Sequence, residues 1–310
     1  MEQKRILVLC GGQFAFPTLQ TLGLEKFLCG VGIGKGEKEV LAVLEQERVT
    51  NGLTYKSFPD KESLSDLKDW IEELQPDYIF SISFPFLLSE DVLSFGEERF
   101  INFHPGPLPE YRGPMPLFEV LRYQEKETAI SVHFMNPEFD EGAVILKEKL
   151  AISPNETYGE LAIKLSERTA MVALNMAHML QFGSQIPRTA QDENQARYFE
   201  KPEVADTFIQ WKRMPADEII SLINACNPWN QGADTLLQGR NIKILSASLS
   251  ENQHTDIPGK VLNVTPDGEI AVSCLDGQII HVQILAGDFG IQTAERFAAK
   301  KPVLGLLFNS

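Results

Sequence analysis

The first part of the chain alternates segments of strand length with longer segments in which hydrophobic residues recur at helical spacing. Segments with strand character lie at 6–10, 27–33, 78–83 and 98–104. Helical spacing marks 37–48, 63–74 and 157–180. Strands that alternate with helices of these lengths form parallel crossovers within one sheet. The pattern therefore predicts an α/β domain built on a doubly wound, mostly parallel sheet.

A polar segment separates this domain from a different pattern. Residues 183–202 are polar and punctuated by Pro187 and Pro202, which is typical of a linker. Beyond them we predict a short helix at 216–226, followed by short apolar runs joined by Asp-Gly turns. Short strands joined by tight turns favour a small Greek-key β-barrel of the OB-like kind. We expect a first domain over 1–185, a linker over 186–205 and the barrel over 206–310.

Composition narrows the class of protein. A chain of 310 residues exceeds a typical single domain, and 43% hydrophobic with 23% charged residues is ordinary for a globular protein. The formal net charge of −15 disfavours a protein held on nucleic acid or anionic lipid by its overall field. The cysteines form no CxxC pair and no apolar run is long enough to span a bilayer, so we expect a cytoplasmic protein with reduced thiols.

Three polar side chains are candidate catalytic groups. Asn102 and His104 end a predicted strand two residues apart, so both project from one face at its carboxyl end, where open α/β sheets bind ligands. The proline-rich loop 105–116 follows and restricts the backbone. Asp140 lies in a predicted turn in which Gly142 permits a tight or positive-φ conformation. A converging amide, imidazole and carboxylate can stabilise an oxyanion and move a proton, as transfer of a one-carbon acyl group to an amine requires, without a metal.

Each of these residues also has a structural interpretation. His104 can be a hydrogen-bonded strand residue, and Asn102 can simply end the strand. His133, in the predicted strand 128–135, can complete a metal triad with His104 and Asp140. A solvated strand position is the favoured interpretation of His133.

One further residue and one further segment each have a functional and a structural interpretation. Arg112 can reach an anionic group, or it can pair with Glu110 or Glu119. Residues 84–88 are ordinary core by composition, yet they follow a strand's carboxyl end and can line an apolar slot for a flat ring.

The glycine-rich run 30–36 lacks the spacing of a phosphate-binding loop, so ATP is not expected. No G-x-G-x-x-G follows the first strand, so a nicotinamide cofactor is not expected either.

In combination, the motifs of the chain resemble those of the folate-dependent formyltransferase family. The resemblance is carried by Asn102-x-His104-Pro-x-x-Leu-Pro-x-Tyr-Arg-Gly113 and Asp140-x-Gly142. Residues 7–17 resemble the opening strand and turn of that family. In layout the chain is closest to the tRNA-formylating branch, the methionyl-tRNA formyltransferases. The chain also resembles the linker and barrel of that branch, at 209–211, 223–233, 239–245 and 258–261.

The resemblance implies a Rossmann-like domain followed by an OB-like barrel. It also implies an enzyme that moves the formyl group of 10-formyltetrahydrofolate, its co-substrate, to a primary amine with no metal. The implied catalytic residues are Asn102, His104 and Asp140. The implied folate-binding residues are Phe84, Pro85, Phe86, Leu87, Leu88, Asn136, Pro137, Glu138 and Phe139. Further substrate-binding residues are expected at Gly12, Phe14 and Arg112.

Departures from the family pattern bear on the acceptor. The tRNA-formylating enzymes have a long basic loop after the second strand, whereas 34–39 is short and charge-balanced here, and Glu138 stands where they have glycine. Because phosphate binding needs local cations, these differences weaken the case for a tRNA partner. A small amine, such as an amino sugar or a carrier-bound amino acid, is then at least as well supported. The alternatives are hydrolysis of 10-formyltetrahydrofolate and folate binding without turnover; no membrane partner is expected.

Overall fold

The structure is a computed structural model of the chain and describes residues 2–35 and 38–309. The predicted short loop at 34–39 includes residues 36 and 37, which lie outside the described residues. The first sheet contains β1 (Ile6–Cys10), β2 (Leu28–Gly34), β3 (Tyr55–Phe58), β4 (Tyr78–Ile82), β5 (Phe100–His104), β6 (Glu127–Phe134) and β7 (Val144–Ala151). The helices are α1 (Phe16–Leu24), α2 (Lys38–Asn51), α3 (Leu67–Leu74), α4 (Glu90–Leu93), α5 (Pro116–Arg122), α6 (Tyr158–Gln181), α7 (Ala216–Cys226) and α8 (Ala294–Lys300).

The first sheet confirms the predicted doubly wound α/β arrangement. Its strand order is β3-β2-β1-β4-β5-β6-β7, and the pairs from β3 to β5 are parallel. Every residue of β1 is buried, as expected for a strand covered on both faces. β6 and β7 extend the sheet as antiparallel strands. β3 has no counterpart in the sequence-based prediction, because a four-residue strand with Lys56 and Ser57 at its centre carries little hydrophobic signal.

The second sheet is antiparallel and curls on itself. Its strands are β8 (Ala233–Leu237), β9 (Arg240–Gln253), β10 (Val261–Val264), β11 (Ile270–Ser273), β12 (Gln278–Gly287), β13 (Gly290–Thr293) and β14 (Phe308–Asn309). They pair in the order β10-β11-β12-β9-β8-β14, and β13 pairs with β12. The two ends of this order meet, because Val261 N donates to Leu306 O at 2.8 Å and Phe308 N donates to Gly259 O at 2.8 Å. The small β-barrel that the short strands predict is confirmed.

A buried carboxylate anchors this second sheet. Asp234, only 3% exposed, accepts hydrogen bonds from Thr207 Oγ1 at 2.8 Å, Asn230 Nδ2 at 2.8 Å, Lys243 Nζ at 2.9 Å and Asn241 Nδ2 at 3.3 Å. Burial raises the pKa of this carboxyl, but the donors, Lys243 first among them, outweigh burial and hold the pKa below its ordinary value. The charged form therefore joins β8 and β9 to the segments on either side of α7.

Contacts divide the chain into two compact units. The first comprises Met1–Pro116, Glu127–Ala151 and Ala162–Glu200, and the second comprises Leu117–Lys126, Ile152–Leu161 and Lys201–Ser310. Much of the predicted linker thus packs as part of the first unit, and the boundaries at 185 and 206 stay a prediction. All four cysteines are unpaired thiols. Among the helices of the described residues, none combines the length and the apolar character needed to cross a bilayer.

Candidate active site

β5 places the first two predicted catalytic residues at the carboxyl edge of the first sheet. Asn102 pairs in register with His133 of β6, and His104 pairs with Ser131. Residues directly opposite one another on neighbouring strands project from the same face, and side chains two apart on a strand also share a face. All four side chains therefore lie on one face. His104 is buried there, with 4% of its surface exposed.

The turn between β6 and β7 carries Asp140. This residue adopts a φ of 59°, a left-handed conformation that costs free energy for a residue other than glycine. Gly142 does not supply the positive φ. Its role is close packing, because a Cβ at this position would lie 1.7 Å from the carbonyl oxygen of Phe134. The turn is thus held against β6, and the strain falls on the candidate catalytic residue.

The three predicted catalytic side chains meet at this turn. Asp140 Oδ1 lies 3.4 Å from His104 Nδ1 and 3.4 Å from Asn102 Nδ2. Asp140 Oδ2 accepts a hydrogen bond from Gly113 N at 3.0 Å, which ties the carboxylate to the proline-rich loop. His104 Nε2 donates to the carbonyl oxygen of Tyr111 at 2.7 Å. Strand, turn and loop together bring about the convergence that the sequence predicts.

Both ring nitrogens of His104 face acceptors, which stabilises the imidazolium. Burial lowers the pKa of His104, but the Asp140 carboxylate and the Tyr111 carbonyl outweigh burial and raise the pKa above its ordinary value. Burial raises the pKa of Asp140, but the charge and hydrogen bond of His104 outweigh burial and lower the pKa. The contact therefore favours the imidazolium and the carboxylate over their neutral forms.

His133 is buried, so the favoured interpretation of a solvated strand position is wrong. Its side chain is 2% exposed, Nδ1 donates to Phe134 O at 2.8 Å, and Nε2 then accepts from Asn102 Nδ2 at 3.0 Å. The polar face of β6 is not solvated because the proline-rich loop covers it, with Ser131 Oγ donating to Gly106 O at 2.7 Å. Among the described residues, no group of His, Cys, Asp and Glu is arranged to hold a metal ion. The metal-triad alternative therefore has no support.

Arg112 pairs with acidic residues, but with different ones from those that its sequence neighbourhood suggests. Its side chain is only 4% exposed. Nη2 lies 2.7 Å from a carboxylate oxygen of Glu193, and Nη1 lies 3.4 Å from one of Glu141. These partners replace the expected Glu110 and Glu119, because the chain returns to Arg112 from far along the sequence. Anion binding by Arg112 stays a prediction.

Gln191 contacts the site although nothing in the sequence marks it as functional. Its Nε2 donates to the carbonyl oxygens of Asp140 at 2.7 Å and Gly142 at 2.8 Å, and its Oε1 accepts from Arg112. Gln191 lies in the predicted linker, where polar composition is uniform and Gln195 looks equivalent. Only the path of the chain distinguishes the two.

The segment after β4, predicted to bind folate, alternates between core and surface. Phe84, Phe86 and Leu88 are buried in a hydrophobic cluster, whereas Pro85 and Leu87 are exposed. The core interpretation therefore holds for part of this segment, and the ligand-slot interpretation stays a prediction. Three side chains are core, and two are left free to contact a ligand.

The second predicted folate segment lies just before Asp140. Pro137, Glu138 and Phe139 are exposed, Phe139 to 43%. Asn136 Oδ1 is buried and has no hydrogen-bond partner among the described residues. A buried acceptor without a donor is costly, so this oxygen suits a ligand that supplies an N–H or O–H group.

The predicted substrate-binding residues Gly12 and Phe14 follow β1. Phe14 is half-buried in a 3₁₀ turn at Gln13–Ala15. A Cβ on Gly11 would lie 2.0 Å from the carbonyl oxygen of Ser83, so the backbones that leave β1 and β4 touch. This contact places Gly11, the residue before Gly12, against the start of the first predicted folate segment, and substrate binding by Gly12 and Phe14 stays a prediction.

Comparison with known protein families establishes the class. A profile described as formyl transferase matches residues 21–175, and one described as formyl transferase, C-terminal domain, matches residues 202–302. The two matches together cover most of the chain. The chain therefore belongs to the formyl transferase family, and the resemblance in its motifs is confirmed.

Individual relatives come from more than one branch. A methionyl-tRNA formyltransferase from Moorella thermoacetica is 31% identical over 274 residues, which is 85% of this chain and 86% of that protein. The crystal structure of WlaRD, a sugar 3N-formyl transferase, in the presence of dTDP and 5-N-formyl-THF, has a TM-score of 0.70 at 17% identity, covering 91% of this chain and 98% of that one. HypX from Aquifex aeolicus in complex with tetrahydrofolic acid has a TM-score of 0.65 at 17% identity, covering 96% of this chain and 47% of that one. The two structures share the fold of this chain.

Proposed function

We propose that this formyltransferase moves the formyl group of 10-formyltetrahydrofolate to a primary amine, and that the amine is a small or carrier-bound molecule. The observation that carries the proposal is the contact of Asp140 Oδ1 with both His104 Nδ1 and Asn102 Nδ2 at 3.4 Å. An amide donor, an imidazolium and a carboxylate in contact are the groups that acyl transfer to nitrogen uses.

The residues around the site fit a folate co-substrate. It supplies a formyl group carried on the folate nitrogen N10. We place its flat ring between the two predicted folate segments, where Leu87 and Phe139 are exposed and Asn136 Oδ1 lacks a donor. The presence of folates in the WlaRD and HypX structures supports this assignment.

The transfer exchanges one bond for another. A bond forms between the acceptor nitrogen and the formyl carbon, the bond from that carbon to N10 breaks, and one proton passes from the acceptor nitrogen to N10. The contact of Asn102 Nδ2 with Asp140 Oδ1 is long at 3.4 Å, so this amide hydrogen is available to the oxyanion that develops on the formyl oxygen. Asp140, or a water bound to it, relays the proton, and His104 holds the carboxylate in place.

Initiator methionyl-tRNA is the second candidate acceptor. The Moorella relative that supports it is 31% identical to this chain. The net charge of −15 and the short, charge-balanced segment at 34–39 favour the small amine, since a tRNA backbone is bound through local cations.

Release of tetrahydrofolate tests the reaction class. The protein is incubated with 10-formyltetrahydrofolate alone and then with an amine from each acceptor class. We expect release to await an amine. Brisk release without one would replace transfer by hydrolysis, and no release with any acceptor would leave folate binding without turnover.

Formyl uptake tests the acceptor. Initiator methionyl-tRNA, nucleotide-linked amino sugars and aminoacyl thioesters are each scored for the formylated product. We expect a product from an amino sugar or a thioester. Formylation of methionyl-tRNA alone, with a gel shift of that tRNA at low salt, would move the assignment to the second candidate.

A further inference from the structure

The segment 189–199, here called the strap, runs beside the active site of the first unit. Thr189 and Val144 exchange two backbone hydrogen bonds, at 2.8 and 2.9 Å, at the start of β7. At its other end the strap pairs with the proline-rich loop, where Arg112 N donates to Arg197 O at 3.0 Å and Phe199 N donates to Arg112 O at 2.9 Å. The strap is therefore fixed to the two elements that flank the Asp140 turn.

Gln191 lies between these two attachments. One amide nitrogen donates to the carbonyl oxygens of both Asp140, at 2.7 Å, and Gly142, at 2.8 Å. Two hydrogens on one nitrogen thus satisfy two carbonyls of a turn that contains a positive φ of 59° at Asp140. Such a conformation persists only where surrounding contacts over-determine it.

Arg112 fixes which way the Gln191 amide faces. Its Nε and Nη2 lie 3.2 and 3.0 Å from Gln191 Oε1, and the same guanidinium holds Glu193 at 2.7 Å. An arginine has only donors, so the oxygen of Gln191 must face it and the NH₂ group must face the turn. A buried cation thereby orients the amide toward the candidate catalytic residue.

Given the formyl transfer proposed above, on which this inference rests, we infer that Gln191 is a positioning residue that holds the Asp140 turn in its active conformation. It touches backbone carbonyls and not the reacting atoms. Its effect on the reaction passes through the placement of the Asp140 carboxylate against His104 and Asn102, where a displacement of about 1 Å costs up to about 10²-fold in rate. The predicted linker is, in this part, a component of the catalytic machinery.

Two substitutions at one position separate this role from simple folding. Gln191→Leu removes all of its hydrogen bonds. Gln191→Glu keeps the acceptor for Arg112 but cannot donate to the two carbonyls. The matched control is Gln195→Leu, since Gln195 is exposed and its side chain donates only to Asp192 within the strap, at 3.1 Å.

We expect both Gln191 variants to lose about 10- to 100-fold in kcat, with KM for 10-formyltetrahydrofolate near that of the unchanged protein and with both variants still folded at the assay temperature. Gln195→Leu keeps the full rate. A Gln191→Glu variant with the unchanged rate would overturn the inference, because the glutamine would then serve only to pair with Arg112.

The titration of His104, followed by NMR, provides a readout that needs no turnover. Loosening the turn weakens the contact between Asp140 and His104, so the His104 midpoint falls toward that of an ordinary histidine in both Gln191 variants and stays in place in Gln195→Leu. Unchanged midpoints in both variants would overturn the positioning role. Absence of formyl transfer by the unchanged protein would instead overturn the proposed function, and this titration would still report on the turn.

Discussion

The two units each bury a carboxylate, and the two carboxylates are satisfied very differently. Asp234 in the second unit accepts from four side chains at 2.8 to 3.3 Å, one of them the cation of Lys243. Asp140 in the first unit has one short contact, 3.0 Å to Gly113 N, and its other side-chain contacts are 3.4 to 3.7 Å long.

This difference separates an anchor from a reactive group. The acceptor capacity of Asp234 is used up by a lysine, two amides and a hydroxyl of the fold, so the carboxylate has no free position for a substrate. Asp140 is surrounded by histidines and an amide at distances longer than those of good hydrogen bonds, so a substrate can replace these contacts at little cost. Asp140 also carries a positive φ, whereas Asp234 sits in a regular strand. Long contacts, titratable neighbours and backbone strain together support Asp140 as the candidate functional carboxylate.

The largest effect is expected from substitutions that break the pair of His104 and Asp140. His104→Ala and Asp140→Ala should each lose about 10² to 10⁴ in turnover, because each removes a group that holds or moves the proton. Equilibrium binding of 10-formyltetrahydrofolate, measured by fluorescence titration, should stay close to that of the unchanged protein. Near-normal rates in both variants would defeat the assigned roles.

The equivalent substitution in the second unit should act on stability. Asp234→Ala leaves Lys243 without its carboxylate partner and takes an acceptor from Thr207, Asn230 and Asn241, which costs about 3 kcal/mol of the free energy of unfolding. Urea unfolding followed by tryptophan fluorescence measures it, since Trp211 is buried in that unit. The control is Asp288→Ala, an exposed pair with Arg240 at 3.9 Å, which should change little. A stable Asp234→Ala variant would show that the saturated network contributes nothing.

Replacement of His133 probes the amide side of the site. His133→Phe removes the acceptor for Asn102 Nδ2, so the amide is free to rotate away from the formyl oxygen. Loss of one hydrogen bond, roughly 1.4 kcal/mol, corresponds to about a tenfold lower kcat. His281→Phe is the control. His281 lies in the second unit, where its Nδ1 is 3.2 Å from a carboxylate oxygen of Glu269. Equal rates in the two variants would contradict this role for His133.

Local patterns were sufficient for the first sheet and for the convergence of the three candidate catalytic residues. The period of two along β5 places Asn102 and His104 on one face, and the alternation of strands and helices predicts the carboxyl edge at which they lie. Asp140 is a candidate because it lies in the turn that must join two predicted strands. Each of these inferences uses residues that are close in sequence.

Contacts between distant segments account for the rest. The polar face of β6, with Ser131 and His133, has the alternation of a solvated strand, but the proline-rich loop covers it. Gln191 has the composition of a linker and contacts a turn about fifty positions away. Residues 84–88 have the composition of a core segment or of a ligand slot, and in the structure they alternate between buried and exposed. The hydrophobic period of a strand or helix does not show which of its surfaces will be covered by a segment that is distant in the sequence.

The smallest expected effect distinguishes the two carboxylates by their pH dependence. Both have a folded pKa below the ordinary value, so each stabilises the fold above that value and loses its contribution as pH falls through its folded pKa. The first unit also holds His104, a histidine with a raised pKa. Its contribution is full below about pH 6.5 and is lost as pH rises through the raised value. Asp140→Asn should therefore lower the His104 midpoint in an NMR titration, whereas Asp234→Asn should leave it unchanged. An unchanged His104 midpoint in Asp140→Asn would mean that the carboxylate does not stabilise the imidazolium. The contrast between Asp234 as an anchor and Asp140 as a reactive group would then have no electrostatic basis.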